Sequence, residues 1–228
     1  ARLLAVFAVN GIAAAVPSAT VLFFVADVLQ ADDRAAAAYL VLYFAAAAAS
    51  LPLWVALSRR LGKLRAWLAG MLLAVGVFVW AGLLGSGDLL AYGAICVLSG
   101  IALGADLSLP PSLLADLLAR NQEHGAGEAL ARDSGARAGA CFGWWNFVTK
   151  ANLALAAGLA LPLLAALGYA PGAREANATA VLGMVYAGLP VVLKLGAVLL
   201  LWRWRACLEP VAEATDSAAA AALREVRS

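Results

Sequence analysis

Long apolar runs, separated by short polar segments, make up most of this chain. Each run is continuous rather than alternating, and most reach the roughly 20 residues that an α-helix needs to cross a hydrocarbon core of about 30 Å. A membrane β-barrel would instead need alternating strands of about ten residues. The pattern predicts an all-α membrane protein with six transmembrane helices, at Leu3–Val25, Ala36–Leu57, Trp67–Leu84, Leu89–Ala119, Gly139–Leu167 and Ala178–Arg203.

The composition agrees with this class: 64% of the residues are hydrophobic and 13% are charged, with a mean hydropathy of +0.89. An average soluble domain is about one quarter charged. The three cysteines show no paired or metal-type spacing, and His124 is the only histidine. We therefore predict no metal site and no cofactor, a lipid bilayer as the surroundings and no nucleic acid partner.

Lysine and arginine are distributed unevenly between the two sets of loops. Six spans place both termini on one side, and that side collects twelve of these residues against two on the other side, Arg34 and Arg174. Since cytoplasmic loops carry the excess of basic residues, both termini are predicted to be cytoplasmic. Residues 1–205 then form the membrane domain, and residues 206–228 form a polar, alanine-rich cytoplasmic tail.

Three charged residues, Asp106, Lys150 and Lys194, lie well inside predicted spans. Each costs about 2.5–3.5 kcal/mol at the centre of a membrane helix, so each is expected to have a partner or a function. Asp106 precedes the end of span four by thirteen residues, and Lys150 follows the start of span five by eleven. These depths match, because a helix rises about 1.5 Å per residue, and they predict an Asp106–Lys150 ion pair.

Span five has a polar face near the middle of the membrane. Asn146, Thr149 and Lys150 stand at i, i+3 and i+4, which places them on one side of the helix. The neighbouring Trp144 and Trp145 offer flat rings on which a polyhydroxylated ligand could stack. The alternative is that these tryptophans are interfacial anchors or face the lipid.

The tandem proline Pro110–Pro111 interrupts span four beside Asp106. Proline has no N–H group, so the carbonyls of Asp106 and Leu107 lose their helical donors. Free carbonyls are tolerated at membrane depth only where they face protein or water. We therefore predict a break that serves as a hinge, with a simple packing kink as the alternative.

Several motifs resemble the carboxyl-terminal half of a major facilitator, specifically of the glycoside-pentoside-hexuronide:cation symporter (melibiose permease-like) family. "LPPSLLADLL", which contains Asp116, is similar to the family's tenth helix, and "SGARAGACFG", with Gly135 and Arg137, to the cytoplasmic loop that follows. "NFVTKANLALAAG" places Lys150 at the lysine of the eleventh helix, and "SRRLGKLRAW" resembles the basic loop between the second and third spans.

The resemblance implies a major-facilitator-type half bundle of two inverted three-helix repeats, in a multi-pass protein of the bacterial cytoplasmic membrane. It implies secondary active transport, namely symport of a sugar or related small solute with Na⁺ or H⁺. Asp106, Asn146, Thr149, Lys150 and Trp145 would line the central cavity.

A carrier of this kind also needs a second six-helix half, from the same gene, from a separate chain or from a second copy. The chain starts almost inside a helix, so we expect a fragment, a processed product or one half of a larger protein. The alternatives are transport of a lysolipid or other amphiphile, or a non-transporting interaction or scaffold protein. An enzyme is not expected, because the sequence has no paired carboxylates, histidine cluster or nucleophile–base set.

Overall fold

The computed structural model describes the backbone of residues 2–123 and 128–208, and the side chains of these residues except 120–138 and 207. Within these ranges every regular secondary-structure element is a helix. The helices are α1 (Arg2–Phe23), α2 (Asp33–Leu61), α3 (Lys63–Ala81), α4 (Leu89–Glu123), α5 (Glu128–Ala166), α6 (Ala176–Gly183) and α7 (Leu189–Leu208), with π-helical segments at Phe24–Val28 and Met184–Gly188.

Six stretches of these helices are long and apolar enough to cross a membrane, which confirms the predicted number. They are Arg2–Val28, Asp33–Leu61, Lys63–Ala81, Leu89–Ala119, Gly139–Ala166 and Ala176–Ala206. The protein is therefore an integral membrane protein whose described part is an all-α, six-span unit. The predicted tail lies almost entirely outside the described residues.

The six spans form two three-helix repeats, α1–α3 and α4–α7, and the first helix of each repeat packs mainly against helices of the other repeat. The first helix of the second repeat, α4, packs mainly against α2 and α3, and the first helix of the first repeat, α1, packs mainly against α5 and α7. Each repeat thus completes the core of the other. This arrangement fits the predicted six-helix half of a major facilitator.

Small residues allow the closest of these helix approaches. A Cβ atom at Gly100 would overlap the carbonyl oxygen of Tyr43, and one at Gly104 would overlap the Ser50 hydroxyl. On the other side of the bundle, a Cβ at Gly11 of α1 would overlap the Asn152 side chain of α5. In both repeats, then, a glycine on the first helix packs against a polar residue on the second helix of the other repeat, as expected for tightly associated membrane helices.

Two apolar clusters fill the two ends of the bundle. One contains Phe24, Tyr92, Leu164 and Tyr186, on the side of the loop after α5. The other contains Trp67, Met71, Leu109 and Leu201, on the side of the turn between α2 and α3. The buried Asn10 and Lys194 lie along their spans between residues of the two clusters.

The two π-helical segments meet in the first cluster. The ring of Phe24 stacks on that of Tyr186, with centroids 4.1 Å apart and planes 15° apart. π-Helical turns inside α-helices occur frequently at functional sites. Sequence patterning did not predict either segment, since a single wider turn leaves the apolar pattern almost unchanged.

The expected break at the tandem proline is absent, because α4 continues through Pro110 and Pro111. Leu109 and Leu113, on either side, are each only 2% exposed. Their packing holds the helix together where two N–H donors are missing. The predicted break was wrong, while a hinge role for these prolines stays a prediction.

Candidate functional site

A cavity of about 160 Å³ lies between α1, α2 and α4, and residues of α3 and α7 also contribute to its wall. Such a volume holds several water molecules. Its lining combines aromatic side chains with a few polar groups. The lining residues that carry hydroxyl or charged groups are Ser18, Tyr39, Tyr43, Tyr92, Ser99, Asp106, Tyr186 and Lys194.

The charged residues of the cavity, Asp106 and Lys194, form an ion pair. The Lys194 ammonium lies 3.0 Å from Oδ2 of Asp106, and the two side chains are 3% and 14% exposed, respectively. The ammonium also donates to Oδ1 of Asn10 at 2.7 Å. A lysine of α7 and an aspartate of α4 thus meet through an asparagine of α1.

The other carboxylate oxygen of Asp106 is also occupied. Its Oδ1 accepts a hydrogen bond from Nδ2 of Asn10 at 3.0 Å and one from the indole Nε1 of Trp67 at 2.9 Å. Asn10 is 2% exposed and Trp67 is fully buried. Buried ion pairs offset their desolvation only when further hydrogen bonds satisfy the remaining positions, and this network meets that condition.

Tyrosines form the opposite end of the cavity. The hydroxyl groups of Tyr92 and Tyr186 lie 2.9 Å apart, and the hydroxyl of Tyr39 donates to the carbonyl oxygen of Leu89 at 2.9 Å. Their rings pack against one another and against Phe24. This end is therefore mainly aromatic, in contrast to the charged end at Asp106.

The carboxylate of Asp27, in the first π-helical segment, anchors the loop after α5 just beyond this tyrosine cluster. It accepts hydrogen bonds from the Tyr169 hydroxyl and, at 3.0 Å, from the backbone N–H of Gly172. Burial and this hydrogen bond keep the pKa of Tyr169 above its ordinary value of 10.0. The hydroxyl therefore stays a donor at neutral pH and holds the loop against span one.

The structure gives Asp106 a different lysine from the expected one. The ion pair with Lys150 was wrong, because Asp106 binds Lys194 and Lys150 is exposed on α5. The cause is helix packing: α4 packs against α2 and α3, whereas α5, its neighbour in sequence, packs mainly against α1. Matching depth alone could not reveal this.

The other predicted residues of α5 divide between two environments. Asn146 and Thr149 are exposed with Lys150, and the Thr149 hydroxyl donates to the carbonyl oxygen of Trp145. Trp145 is only 8% exposed, and its ring stacks on Phe7 with centroids 3.6 Å apart. The polar face therefore lies on the surface of this unit, and the Trp145 ring packs against α1.

Of the predicted cytoplasmic motif, Asp116 is described together with a partner. Gly62, with a φ of 85°, ends α2 and allows α3 to begin at Lys63. The Lys63 ammonium donates to the Asp116 carboxylate at 2.6 Å, and these side chains are about one third exposed. Gly135 and Arg137 lie outside the residues whose side chains the structure describes.

Sequence reasoning missed the roles of Lys194, Asn10 and Trp67. A lysine deep in the sixth span was visible, and so was an asparagine inside the first. Both signals indicated buried polar groups without indicating their partners. In the described part of the chain, no group of three metal-ligating side chains is present.

A family model described as MFS/sugar transport protein matches residues 1–206, which covers nearly the whole chain. A search of curated proteins finds no match.

Proposed function

The chain belongs to the MFS/sugar transport protein family, and from this premise we propose that it is one half of a cation-coupled symporter that moves a sugar or related small solute. Members of this superfamily are transporters built from two six-helix halves, with the solute site near the midplane. The described spans correspond to one such half.

The observation that carries this proposal is the Asp106–Lys194 pair on the wall of a cavity between spans. An ionisable residue inside a membrane span marks a solute or ion pathway by default, because its burial is costly. Here Asn10 and Trp67 donate hydrogen bonds to Asp106, and the Asp106 side chain still lines the cavity. The cavity then offers one charged and hydrogen-bonding end and one aromatic end, which suits a polar solute with a flat apolar face.

We propose that a second six-helix unit covers the exposed sides of α2 and α5. The spans formed by these two helices are the least buried, at 17% and 22%, whereas the other four are 39–44% buried. The exposed Asn146, Thr149 and Lys150 of α5 would otherwise face hydrocarbon, at a cost that the lysine makes large. With the second unit in place, these residues join Asp106 in lining a central space.

The coupling ion in this proposal is Na⁺ or H⁺, and both termini lie in the cytoplasm. The Lys63–Asp116 pair then lies at the cytoplasmic end of the bundle, beside the basic turn between α2 and α3. Alternating access follows when the two six-helix halves rock about the midplane site. Pro110 and Pro111 lie within α4, between Asp106 and this cytoplasmic end.

Thiol labelling separates this carrier from a packed, non-transporting scaffold. In a background in which Cys96, Cys141 and Cys207 are replaced by serine, Ser99→Cys probes the cavity and Asn146→Cys probes the polar face of α5. A carrier predicts that a water-borne thiol reagent modifies both positions. Protection of both positions in detergent and in membranes would support the scaffold instead.

Asn152→Cys is the matched control on the same helix. Asn152 is 5% exposed and packs against Gly11, so a cysteine there should stay unmodified. Modification of this position as fast as position 146 would show that labelling reports loosening of the bundle rather than a water-filled site.

A further inference from the structure

The charged groups of the cavity are balanced within the protein. Among the described residues that line it, Asp106 and Lys194 are the charged ones, and they pair with each other at 3.0 Å. The lining therefore has no uncompensated charge. An anionic group of a solute in this cavity finds no unpaired counter-ion in the lining, since Lys194 is paired and the exposed Lys150 of α5 is not a lining residue.

The two charges are not equally accessible from the cavity. The Asp106 side chain is 14% exposed and that of Lys194 is 3% exposed, with the ammonium donating to Asp106 and Asn10. Asn10 and Trp67, which donate to the carboxylate, are buried residues outside the cavity lining. The group that a solute meets is therefore the carboxylate, with the ammonium behind it.

The carboxylate also has spare capacity to accept hydrogen bonds. An ionised carboxylate offers about four acceptor positions, and Asn10, Trp67 and Lys194 use three of them. About one position remains for an O–H or N–H donor. A sugar hydroxyl supplies such a donor, whereas a carboxylate or phosphate group brings another acceptor and a like charge.

We propose that Asp106 determines the charge selectivity of this cavity: by masking Lys194, it makes the site accept uncharged hydroxylated solutes and reject carboxylate- and phosphate-bearing ones. This inference rests on the proposed function of the cavity as a solute site. It assigns the solute to uncharged glycosides rather than hexuronides. It also excludes phosphate-bearing amphiphiles, because their phosphate would lie against the Asp106 carboxylate.

A matched pair of probes tests the selectivity, namely 4-nitrophenyl β-glucoside and 4-nitrophenyl β-glucuronide. They share one skeleton and differ by a carboxylate at the sixth carbon. Binding of each to the full chain in nanodiscs is measured by tryptophan fluorescence. We expect the glucuronide to bind at least about tenfold more weakly, since like-charge juxtaposition in a buried site is strongly unfavourable.

Charge variants test the role of Asp106. Asp106→Asn removes the carboxylate that neutralises the Lys194 ammonium. The ammonium is then left without its counter-ion, so the protein should bind the glucuronide more tightly than the glucoside. In the double variant Asp106→Asn/Lys194→Met both charges are gone, and the two probes should bind within about twofold of each other. The double variant leaves no unpaired charge, so it keeps the test available even where the single variant fails to fold.

Asp116→Asn is the control, since it removes an aspartate from a comparable lysine pair outside the cavity lining. It should keep the wild-type preference for the glucoside. A wild-type protein that binds the glucuronide as tightly as the glucoside overturns this inference and leaves the proposed function standing. A double variant that still binds the glucoside about tenfold more tightly than the glucuronide also overturns this inference. Failure of the wild type to bind either probe overturns both proposals.

Discussion

The ammonium of Lys194 lies 3.0 Å from the carboxylate of Asp106, although the two residues are 88 positions apart in the chain. Asn10 bonds to both side chains. The network therefore links the first helix of each repeat to the last span, at the depth where the cavity ends. Folding of the bundle and the chemistry of the cavity depend on the same three side chains.

Removing one member of this pair should strongly destabilise the protein. Asp106→Asn or Lys194→Met each leaves an uncompensated charge in a buried site, which typically costs about 3–5 kcal/mol. The double variant should recover most of this loss. Unfolding followed by circular dichroism in detergent measures the effect, and a double variant no more stable than either single variant would show that the pair is not coupled.

The Lys63–Asp116 pair provides the comparison for that experiment. Its side chains are 32% and 36% exposed, so solvent screens the interaction. Asp116→Asn should change stability by at most about 1 kcal/mol. If Asp116→Asn lost as much stability as Asp106→Asn, the destabilisation would come from replacing an aspartate and would not depend on its burial.

The contact between α2 and α4 should not tolerate a side chain at Gly104. A Cβ there would overlap the Ser50 hydroxyl and lie 3.0 Å from the carbonyl oxygen of Ala47. Gly104→Ala should cost about 1–3 kcal/mol through overpacking. Gly158→Ala is the control, because a Cβ there meets no neighbouring atom within 4 Å, and its stability should stay equal or rise. Equal destabilisation of both variants would contradict the packing described.

The paired hydroxyls of Tyr92 and Tyr186 should behave as a unit. Tyr186→Phe removes the hydroxyl that lies 2.9 Å from that of Tyr92, and the loss of one such hydrogen bond costs about 0.5–1.5 kcal/mol. In Tyr92→Phe/Tyr186→Phe both groups are absent, so the double variant should be no less stable than the worse single variant. Additive losses in thermal unfolding would argue against the pairing.

The positions of the six spans could be predicted from the sequence, because apolar length is a local property of the chain. The close approach of α2 to Gly100 and Gly104 of α4 was not predicted, since a small residue permits a close contact without identifying the neighbouring helix. Local signals suffice when the feature depends on one helix.

The partner of Asp106 could not be predicted in this way. Lys150 and Lys194 both lie deep in their spans, and the choice between them depends on which helices are neighbours. The π-helical segments escaped prediction for a related reason. The stacking of Phe24 on Tyr186 joins two distant spans, and no local pattern marks it.

The orientation of the chain is a separate prediction. Reporter fusions after Arg65 and within residues 120–137 should be active in the cytoplasm, since those loops carry the basic excess. Fusions near Asp88 and Arg174 should report the opposite side. An inverted set of activities would contradict the predicted position of both termini.

The most direct test of the half-carrier is uptake by the purified chain alone. The chain is reconstituted into liposomes at less than one copy per vesicle, and uptake of a labelled neutral glycoside is followed under an inward Na⁺ or H⁺ gradient. Since alternating access needs a second six-helix unit against α2 and α5, we predict no saturable uptake. Saturable, gradient-driven uptake by a demonstrated monomer would contradict the account.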